Sequence, residues 1–372
     1  MRRVLFFLLF STSALGQFVG TTGAGVAEPD TFKFDIETEN EDDSFTLPIY
    51  DGGVYNFVVD WGDESSSTIT AWNDGDNPHT YEDAGISTYT IKIVGTIKGF
   101  RFNNGGDADL VTDIQKWGCL QLGNLGDYFC GCGNLTVSAT DMLILSGITD
   151  MSLAFQLCTS LTTIPSIEKW DMSKVVTIYG MFHSCAQFND DLSGWETGSM
   201  TNIGYCFYGC DAFNSDIGSW DVSNVTIMTW LFYGADIFNQ DIGGWTTSSL
   251  TNSQAVFDGA LAFDQDISGW DMSGVSNISN MFNGATSFDQ SLAAWDITNI
   301  EDMSGLFNGV TLSTANYDAI LIGWEAQTEQ SGVTFSAGNS KYSAGVAATA
   351  RGVLVNTSTW DISDGGQEEE KP

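Results

Sequence analysis

The sequence predicts a repeat solenoid of short parallel strands and helical turns, preceded by a β-sandwich and followed by an α/β cap. The main observation is a tryptophan that recurs every 25 residues. The series consists of Trp170, Trp195, Trp220, Trp245, Trp270 and Trp295. A fixed period of about 20 to 50 residues indicates stacked repeats, because one unit cannot bury its apolar face alone. The pattern changes at both ends of this region, which predicts the two flanking units.

Two phenylalanine series keep the 25-residue spacing and define the repeat unit. The first is Phe182, Phe207, Phe232, Phe257, Phe282 and Phe307. The second lies six residues later, at Phe188, Phe213, Phe238, Phe263 and Phe288. Looser copies extend the pattern backwards, so we expect repeats over residues 98–310. Paired parallel strands would place neighbouring repeats about 4.8 Å apart.

Four of the seven cysteines share one position of the repeat. The position holds Cys132, Cys158, Cys185, Cys210, Ala235, Ala260, Ala285 and Val310 in successive repeats. Cysteine packs as a small apolar side chain, so these residues predict a buried column of thiols. A disulfide between neighbouring repeats is an alternative, because the repeat spacing is close to the usual Cα separation of a disulfide. Cys130 and Cys132 lack the further cysteines or histidine of a zinc site.

The first residues predict export of the protein. Arg2 and Arg3 precede an apolar run from Val4 to Phe10, and small residues follow up to Gly16. This is the pattern of a signal peptide over residues 1–16, and its apolar run is too short to span a bilayer. Residues 17–28 are expected to be a linker. We therefore expect a secreted or cell-surface protein without membrane insertion.

Residues 29–97 show the alternating pattern of a small antiparallel β-sandwich. Tyr89, Ile91 and Ile93 alternate with Thr90 and Lys92, and glycine- and aspartate-rich turns separate such runs. The segment also contains the motifs Val59-Asp60-Trp61-Gly62-Asp63, His79-Thr80-Tyr81 and Tyr89-Thr90-Ile91. It resembles the polycystic-kidney-disease (PKD) type of sandwich domain. The resemblance implies a small β-sandwich domain.

The repeat pattern fails after Phe307. Residues 311–363 contain an alanine-rich helical segment and are expected to cap the last repeat, since a stack needs an atypical terminal unit. Residues 364–372 are expected to form a disordered acidic tail.

The clearest copy of the repeat is Phe-Asn-Gln-Asp-Ile-Gly-Gly-Trp at residues 238–245. This motif, the entry segment at residues 109–118 and the closing segment at residues 316–324 are similar to the BspA-like leucine-rich-repeat surface proteins. The resemblance implies a leucine-rich-repeat-like fold. It also implies adhesion or the recognition of a host or matrix component.

The chain has 48 acidic and 12 basic residues and a net charge of −36. A charge of this sign repels nucleic acid and anionic membranes. Because hard cations prefer carboxylate oxygens, calcium is the one cofactor that we consider, with weak candidate ligands in the sandwich segment. These are Asp60, Asp63, Asp74 and Asp76. Their spacing is not that of a helix-loop-helix calcium site, and a solvated acidic loop is the favoured interpretation.

A second set of aspartates recurs with the repeats at Asp191, Asp216, Asp241 and Asp266. Paired carboxylates catalyse glycoside hydrolysis, so a carbohydrate-active enzyme is one interpretation. A catalytic pair occurs once in a chain, however, whereas these aspartates recur in successive repeats. Aspartate and asparagine at fixed turn positions usually bond to the local backbone. We therefore favour a turn role, with calcium between repeats as the alternative, and predict no catalytic residues.

The recurring tryptophans could line the core or stand exposed for sugar or protein binding, and the flanking aliphatic residues favour the core. Residues that differ between repeats are better candidates for recognition, such as Lys174, Thr229, Trp230, Ser253 and Gln254. The sequence thus predicts a non-enzymatic recognition or adhesion protein whose partner is an extracellular protein or a glycan. The alternatives are a carbohydrate-active enzyme and a structural component of a cell surface or virion.

Overall fold

The computed structural model describes residues 30–40, 42–82, 85–328 and 330–369. The predicted signal peptide and the predicted linker lie outside the described residues. The strands are β1 (Thr31–Thr38), β2 (Ser44–Thr46), β3 (Val54–Asp60), β4 (Ser66–Ile69), β5 (Pro78–Thr80), β6 (Ser87–Lys98), β7 (Val111–Lys116), β8 (Leu120–Gln121), β9 (Thr136–Val137), β10 (Thr334–Ser336) and β11 (Asp361–Ser363). The α-helices are α1 (Thr314–Glu325) and α2 (Val346–Asn356).

Seven strands form one large sheet at the N-terminal side of the described chain, in the order β4-β3-β6-β1-β7-β9, with β8 paired to β6. β1, β3 and β6 pair antiparallel, and Phe34 lies opposite Ile91. Alternate residues of these strands are buried, as expected when one face of a sheet covers a core. The small β2–β5 sheet packs against this face, because the Phe45 ring lies 5.8 Å from that of Phe34. The large sheet continues through β7 and β9, beyond residue 97.

Tight turns, with little regular secondary structure, form the described chain between β9 and α1. Its only helical element is the single 3₁₀ turn Ile167–Lys169. Neighbouring repeats are joined by isolated parallel bridges such as Thr177–Asn202 and Asn202–Ile227. Backbone hydrogen bonds also run between repeats, from Phe182 N to the Cys206 carbonyl at 3.0 Å and from Phe232 N to the Val256 carbonyl at 2.8 Å.

The predicted fold class is therefore wrong. The regular secondary structure is mostly sheet with few helices, and the extended sheet is the sandwich-like one at the N-terminal side. Between β9 and α1 the repeats contain no continuous strand and only a single 3₁₀ turn. The helical turn of each repeat was expected around the first phenylalanine, for example Phe207. Residues with left-handed backbone stand on both sides of this segment, as at Tyr205 (φ +59°) and Gly209 (φ +63°). The three residues between them are too few for a helix, because a first hydrogen-bonded turn is costly to form.

Aromatic side chains from the repeats are in contact inside the protein. Phe207, Phe232 and Phe257 stack with centroids 5.7–5.8 Å apart. The indole N–H of Trp220 donates to the Leu192 carbonyl 28 residues earlier, at 3.1 Å. Equivalent bonds connect Trp195, Trp245, Trp270 and Trp295 to carbonyls of the preceding repeat. These bonds satisfy a buried donor and fix each ring against the neighbouring repeat.

Ser253 interrupts an apolar column in this core. The equivalent positions hold Ile203, Met228, Ile278 and Met303, and all five side chains are fully buried. The Ser253 hydroxyl finds no hydrogen-bond partner among the described residues. A buried polar group without a partner is unfavourable, and serine fills less volume than its neighbours in the column.

We expect Ser253→Ile to raise the free energy of unfolding by about 1 to 3 kcal/mol, because it removes the unpaired hydroxyl and adds buried apolar volume. Urea denaturation measures this as a higher midpoint with an unchanged slope. Ser219→Ile, at an exposed position, is the control and should leave the midpoint nearly unchanged. A lower midpoint for Ser253→Ile would show that the column has no room for the larger side chain.

The segment after the last repeat covers the end of the aromatic core. The Trp324 indole N–H in α1 donates to the Leu292 carbonyl at 3.0 Å, and the Phe335 ring of β10 lies 6.3 Å from that of Phe307. β10 and β11 pair in parallel. Part of the predicted tail also lies here, where Gly365 N donates to the Ser340 carbonyl at 2.8 Å. Within the described residues, no helix has the length and apolar character needed to cross a bilayer.

Candidate functional site

The tryptophans and phenylalanines of the repeat pattern lie in the interior. The six recurring tryptophans are at most 4 % exposed; they are Trp170, Trp195, Trp220, Trp245, Trp270 and Trp295. The phenylalanines of the first series are fully buried; they are Phe182, Phe207, Phe232, Phe257, Phe282 and Phe307. A ligand cannot reach rings in this environment without unfolding the repeats, so a binding site must use other residues.

The recurring aspartates are engaged in local turns. The Oδ1 atoms of Asp191, Asp216, Asp241 and Asp266 accept the backbone N–H two residues further on, at 2.9–3.0 Å. A parallel series connects the repeats, because Asn214 Oδ1 accepts the Asn239 N–H at 2.9 Å and Asn239 Oδ1 accepts the Asp264 N–H at 2.9 Å. These side chains hold the backbone of the turns, and their geometry is equivalent from one repeat to the next.

Three of the four calcium candidates of the sandwich have internal partners for their carboxylates, and Asp76 takes part through its backbone N–H. Asp60 Oδ2 lies 3.1 Å from Lys92 Nζ, and Asp63 Oδ2 lies 2.8 Å from His79 Nε2. Asp74 accepts backbone N–H groups of Thr70 and Asp76 at 3.1 and 3.3 Å. In the part of the chain that the structure describes, no three metal-ligating side chains form a group suited to a metal ion.

All seven cysteines carry free thiols. Sγ atoms of the repeated cysteines donate to carbonyls of the preceding repeat, as Cys185 does to the Phe155 carbonyl at 3.0 Å. Burial raises the pKa of Cys130 to about 11 and that of Cys185 further. Because the thiolate is the reactive form, these cysteines are poor nucleophiles and poor metal ligands.

Six rings outside the buried series lie together on the surface of three successive repeats. They are Tyr179, His183, Tyr205, Tyr208, Trp230 and Tyr233, which we call the aromatic patch; all six are half-buried. Variation between repeats predicted only Trp230 of this group. Of the other residues predicted in that way, Thr229 and Ser253 are buried, Gln254 is half-buried beside Trp230, and Lys174 is exposed elsewhere.

The rings of the aromatic patch are in mutual contact along and across the repeats. Along the repeats, the Tyr205 ring lies 5.1 Å from Tyr179 and 6.0 Å from Trp230, and the Tyr208 ring lies 4.6 Å from His183 and 4.3 Å from Tyr233. Across the repeats, Trp230 and Tyr233 are 5.2 Å apart. These distances fall in the range of favourable aromatic pairs, so the patch is one continuous surface.

Two rings of the patch stand on left-handed backbone. Tyr205 and Trp230 have φ angles of +59° and +58°, whereas Gly180 and Gly305 occupy the equivalent positions of other repeats. A bulky residue in this region costs about 1 to 3 kcal/mol, and such strain is concentrated at functional sites. Two large aromatic rings are thus present where glycine would satisfy the fold at lower cost.

Polar side chains continue the patch into the next repeats. The position of His183, Tyr208 and Tyr233 is taken next by Asp258 and then by Asn283, as successive backbone hydrogen bonds show. Asn283 Nδ2 donates to Asp258 Oδ1 at 2.8 Å. Asp258 is only 9 % exposed, and burial raises its pKa.

This raised pKa predicts that Asp258→Asn stabilises the protein at pH 7. Burial disfavours the charged form of a carboxyl, so its pKa is higher in the folded state than in the unfolded state. Such a group makes the protein less stable as the pH rises from the unfolded-state pKa through the folded-state pKa. The gain should disappear below about pH 3.9, where the carboxyl is protonated in both states. Thermal melts across this range measure it.

Asp266→Asn is the matched control for this experiment. The Ser268 hydroxyl and backbone N–H lower the pKa of Asp266, so its replacement should destabilise the protein at pH 7. Equal effects of the two substitutions would contradict the environment assigned to Asp258.

Comparison with known proteins shows a family for this chain but no function. No curated protein and no solved structure matches the chain. Two overlapping segments, residues 123–236 and 201–320, match one protein family. Together they span residues 123–320, which is more than half of the chain. The chain belongs to the family described as "Mycoplasma protein of unknown function, DUF285".

Proposed function

We propose that this chain is a secreted or cell-surface recognition protein that binds an extracellular protein or glycan through its repeat surface and catalyses no reaction. The N-terminal sequence supports export, because it has the pattern of a signal peptide. The similarity of the repeats to BspA-like surface proteins, and of residues 29–97 to PKD-type sandwiches, supports an extracellular role in adhesion. In this proposal the sandwich acts as a spacer and the repeats carry the contact surface.

The aromatic patch is the observation that carries the proposal. Tyrosine and tryptophan anchor binding interfaces because they offer a large contact area at little conformational cost. Six half-buried rings from three repeats form such a surface here, and two of them occupy strained backbone. Stability alone does not require them, since other repeats use glycine, alanine or asparagine at the position of Trp230.

Binding and turnover measurements on the purified chain test this function. The chain would be applied to immobilised oligosaccharides and matrix proteins, and its release of sugar from soluble polysaccharides would be assayed in parallel. We expect binding without turnover. Turnover that is abolished by Asp216→Asn and Asp241→Asn in a folded protein, without stable binding, would overturn the proposal in favour of an enzyme.

A further inference from the structure

We propose that the aromatic patch binds a neutral glycan chain that runs along the repeats from His183 toward Asn308. The inference rests on the proposed recognition function and assigns to it a site and a ligand class. A glycan is recognised by two kinds of contact: the apolar C–H face of a sugar packs on an aromatic ring, and its hydroxyls bond to planar polar groups. The structure places both kinds of group side by side.

The aromatic contacts come from Tyr179, Tyr205 and Trp230. They lie one beyond the other along the repeats, and Trp230 is the last ring of this line. The next repeat carries Ala255 at the position of Trp230, and backbone hydrogen bonds from Trp230 to Gln254 and from Ala255 to Ser279 establish this register. Ala255 is itself fully buried, so the half-buried Trp230 ring ends the line of rings and offers its outer surface to the face of a sugar.

The polar contacts come from the residues that continue the second line of rings, which consists of His183, Tyr208 and Tyr233. Beyond Tyr233 the same position holds Asp258, Asn283 and Asn308, and Asn308 is exposed. Asn280 stands beside them in the adjoining line, at a left-handed position with φ +56°. Amide and carboxylate groups in such a row can accept and donate hydrogen bonds to successive hydroxyls of a chain. A linear polymer fits this arrangement better than a single sugar does.

The charge of the protein selects a neutral ligand. No lysine or arginine occurs between Lys174 and Lys341, so the repeats that carry the patch offer no cationic side chain to an acidic glycan or phosphate. The whole chain also repels anions, since its net charge is −36. A cationic partner is less favoured at the patch itself. Asp258 is the one carboxylate among the residues equivalent to His183 or Tyr205 in the repeats that follow them, and burial disfavours its charged form.

Titration of the purified full chain with soluble neutral oligosaccharides of glucose, galactose, mannose and N-acetylglucosamine tests the site. We expect one of these probes to bind, and Trp230→Ala to weaken its binding about 30-fold, as for an aromatic anchor. Trp230→Phe retains a ring and should restore most of the affinity. Trp72→Ala is the matched control, because Trp72 is a tryptophan of the N-terminal unit that is 45 % exposed and lies outside the patch. The Trp72→Ala variant should bind the oligosaccharide with the affinity of the wild type.

The salt dependence of binding distinguishes the ligand classes. Binding of a neutral glycan should change little between about 0.1 and 1 M NaCl, although the Debye length falls from about 10 to 3 Å. A cationic peptide that binds instead, and weakens in salt, would overturn the glycan assignment but leave the recognition function. Glycan binding that all Trp230 variants retain would overturn the site alone. Absence of binding to every neutral probe would overturn the proposed ligand class.

Discussion

Replacing Phe232 with alanine is expected to lower the free energy of unfolding by about 3 to 5 kcal/mol. The ring is fully buried and lies between Phe207 and Phe257, at 5.8 and 5.7 Å, and against Phe238 at 3.9 Å. Its removal deletes apolar contacts with three rings and leaves a cavity that the neighbouring repeats cannot close, because hydrogen bonds to both sides fix their spacing. Urea denaturation measures the effect.

The control for this prediction is Leu261→Ala. Leu261 is also a large apolar residue of the repeats, but it is 44 % exposed. Its replacement should change the free energy of unfolding by no more than about 0.5 kcal/mol. Similar effects of Phe232→Ala and Leu261→Ala would show that the aromatic series does not form the core of the repeats.

Asp364→Ala is expected to destabilise the C-terminal segment by about 2 to 4 kcal/mol. The Asp364 side chain is 3 % exposed and lies 2.6 Å from Arg351 Nε, and its Oδ2 also accepts the Tyr317 hydroxyl at 2.8 Å. The substitution leaves a guanidinium and a buried phenol without their acceptor. The cost is below that of a fully buried pair, because the Arg351 side chain is 23 % exposed and can reach water.

Hydrogen exchange locates this effect. We expect faster exchange in α1 and α2, which the ion pair and the Tyr317 bond connect to the end of the chain, and unchanged exchange in the large N-terminal sheet. Asp361→Ala, at an exposed position three residues earlier, should leave the exchange of both helices unchanged. Equal protection in the Asp364→Ala variant and the wild type would show that the pair contributes nothing to this segment.

The sequence indicated which side chains contact one another better than it indicated the path of the backbone. The constant spacing relates Phe207, Phe232 and Phe257, and these rings stack in the structure. It also relates Cys210 to Ala235, and both are fully buried. Periodicity identifies equivalent positions directly, because any regular stack places residues one period apart in the same environment.

The fold class could not be obtained in the same way. Whether a short apolar run becomes a strand, a helix or a turn depends on backbone angles that apolar spacing does not report. Here tyrosine and tryptophan adopt left-handed conformations at positions 205 and 230, where composition alone suggests an ordinary residue. The prediction of strands and helical turns failed at these points.

The same backbone angles explain why the sequence analysis found only one ring of the aromatic patch. Trp230 is a candidate from the sequence because its position differs between repeats. Tyr205, Tyr208 and Tyr233 resemble ordinary variable residues until the turns place them on one face. An available signal was the cluster of tyrosines outside the repeated positions in three consecutive repeats, together with the absence of lysine and arginine between Lys174 and Lys341.

The central claim is that the recurring tryptophans hold the fold while Trp230 contacts the ligand. Fluorine NMR of the chain labelled with fluorotryptophan tests it directly. Of the twelve tryptophans, ten are buried, Trp72 is exposed and Trp230 is half-buried. The Trp230 resonance is identified as the one that is missing from the spectrum of the Trp230→Phe variant. On addition of the neutral oligosaccharide that binds, we predict that this resonance shifts. A shift confined to the recurring tryptophans or Trp72, or no shift with any oligosaccharide, would contradict the account.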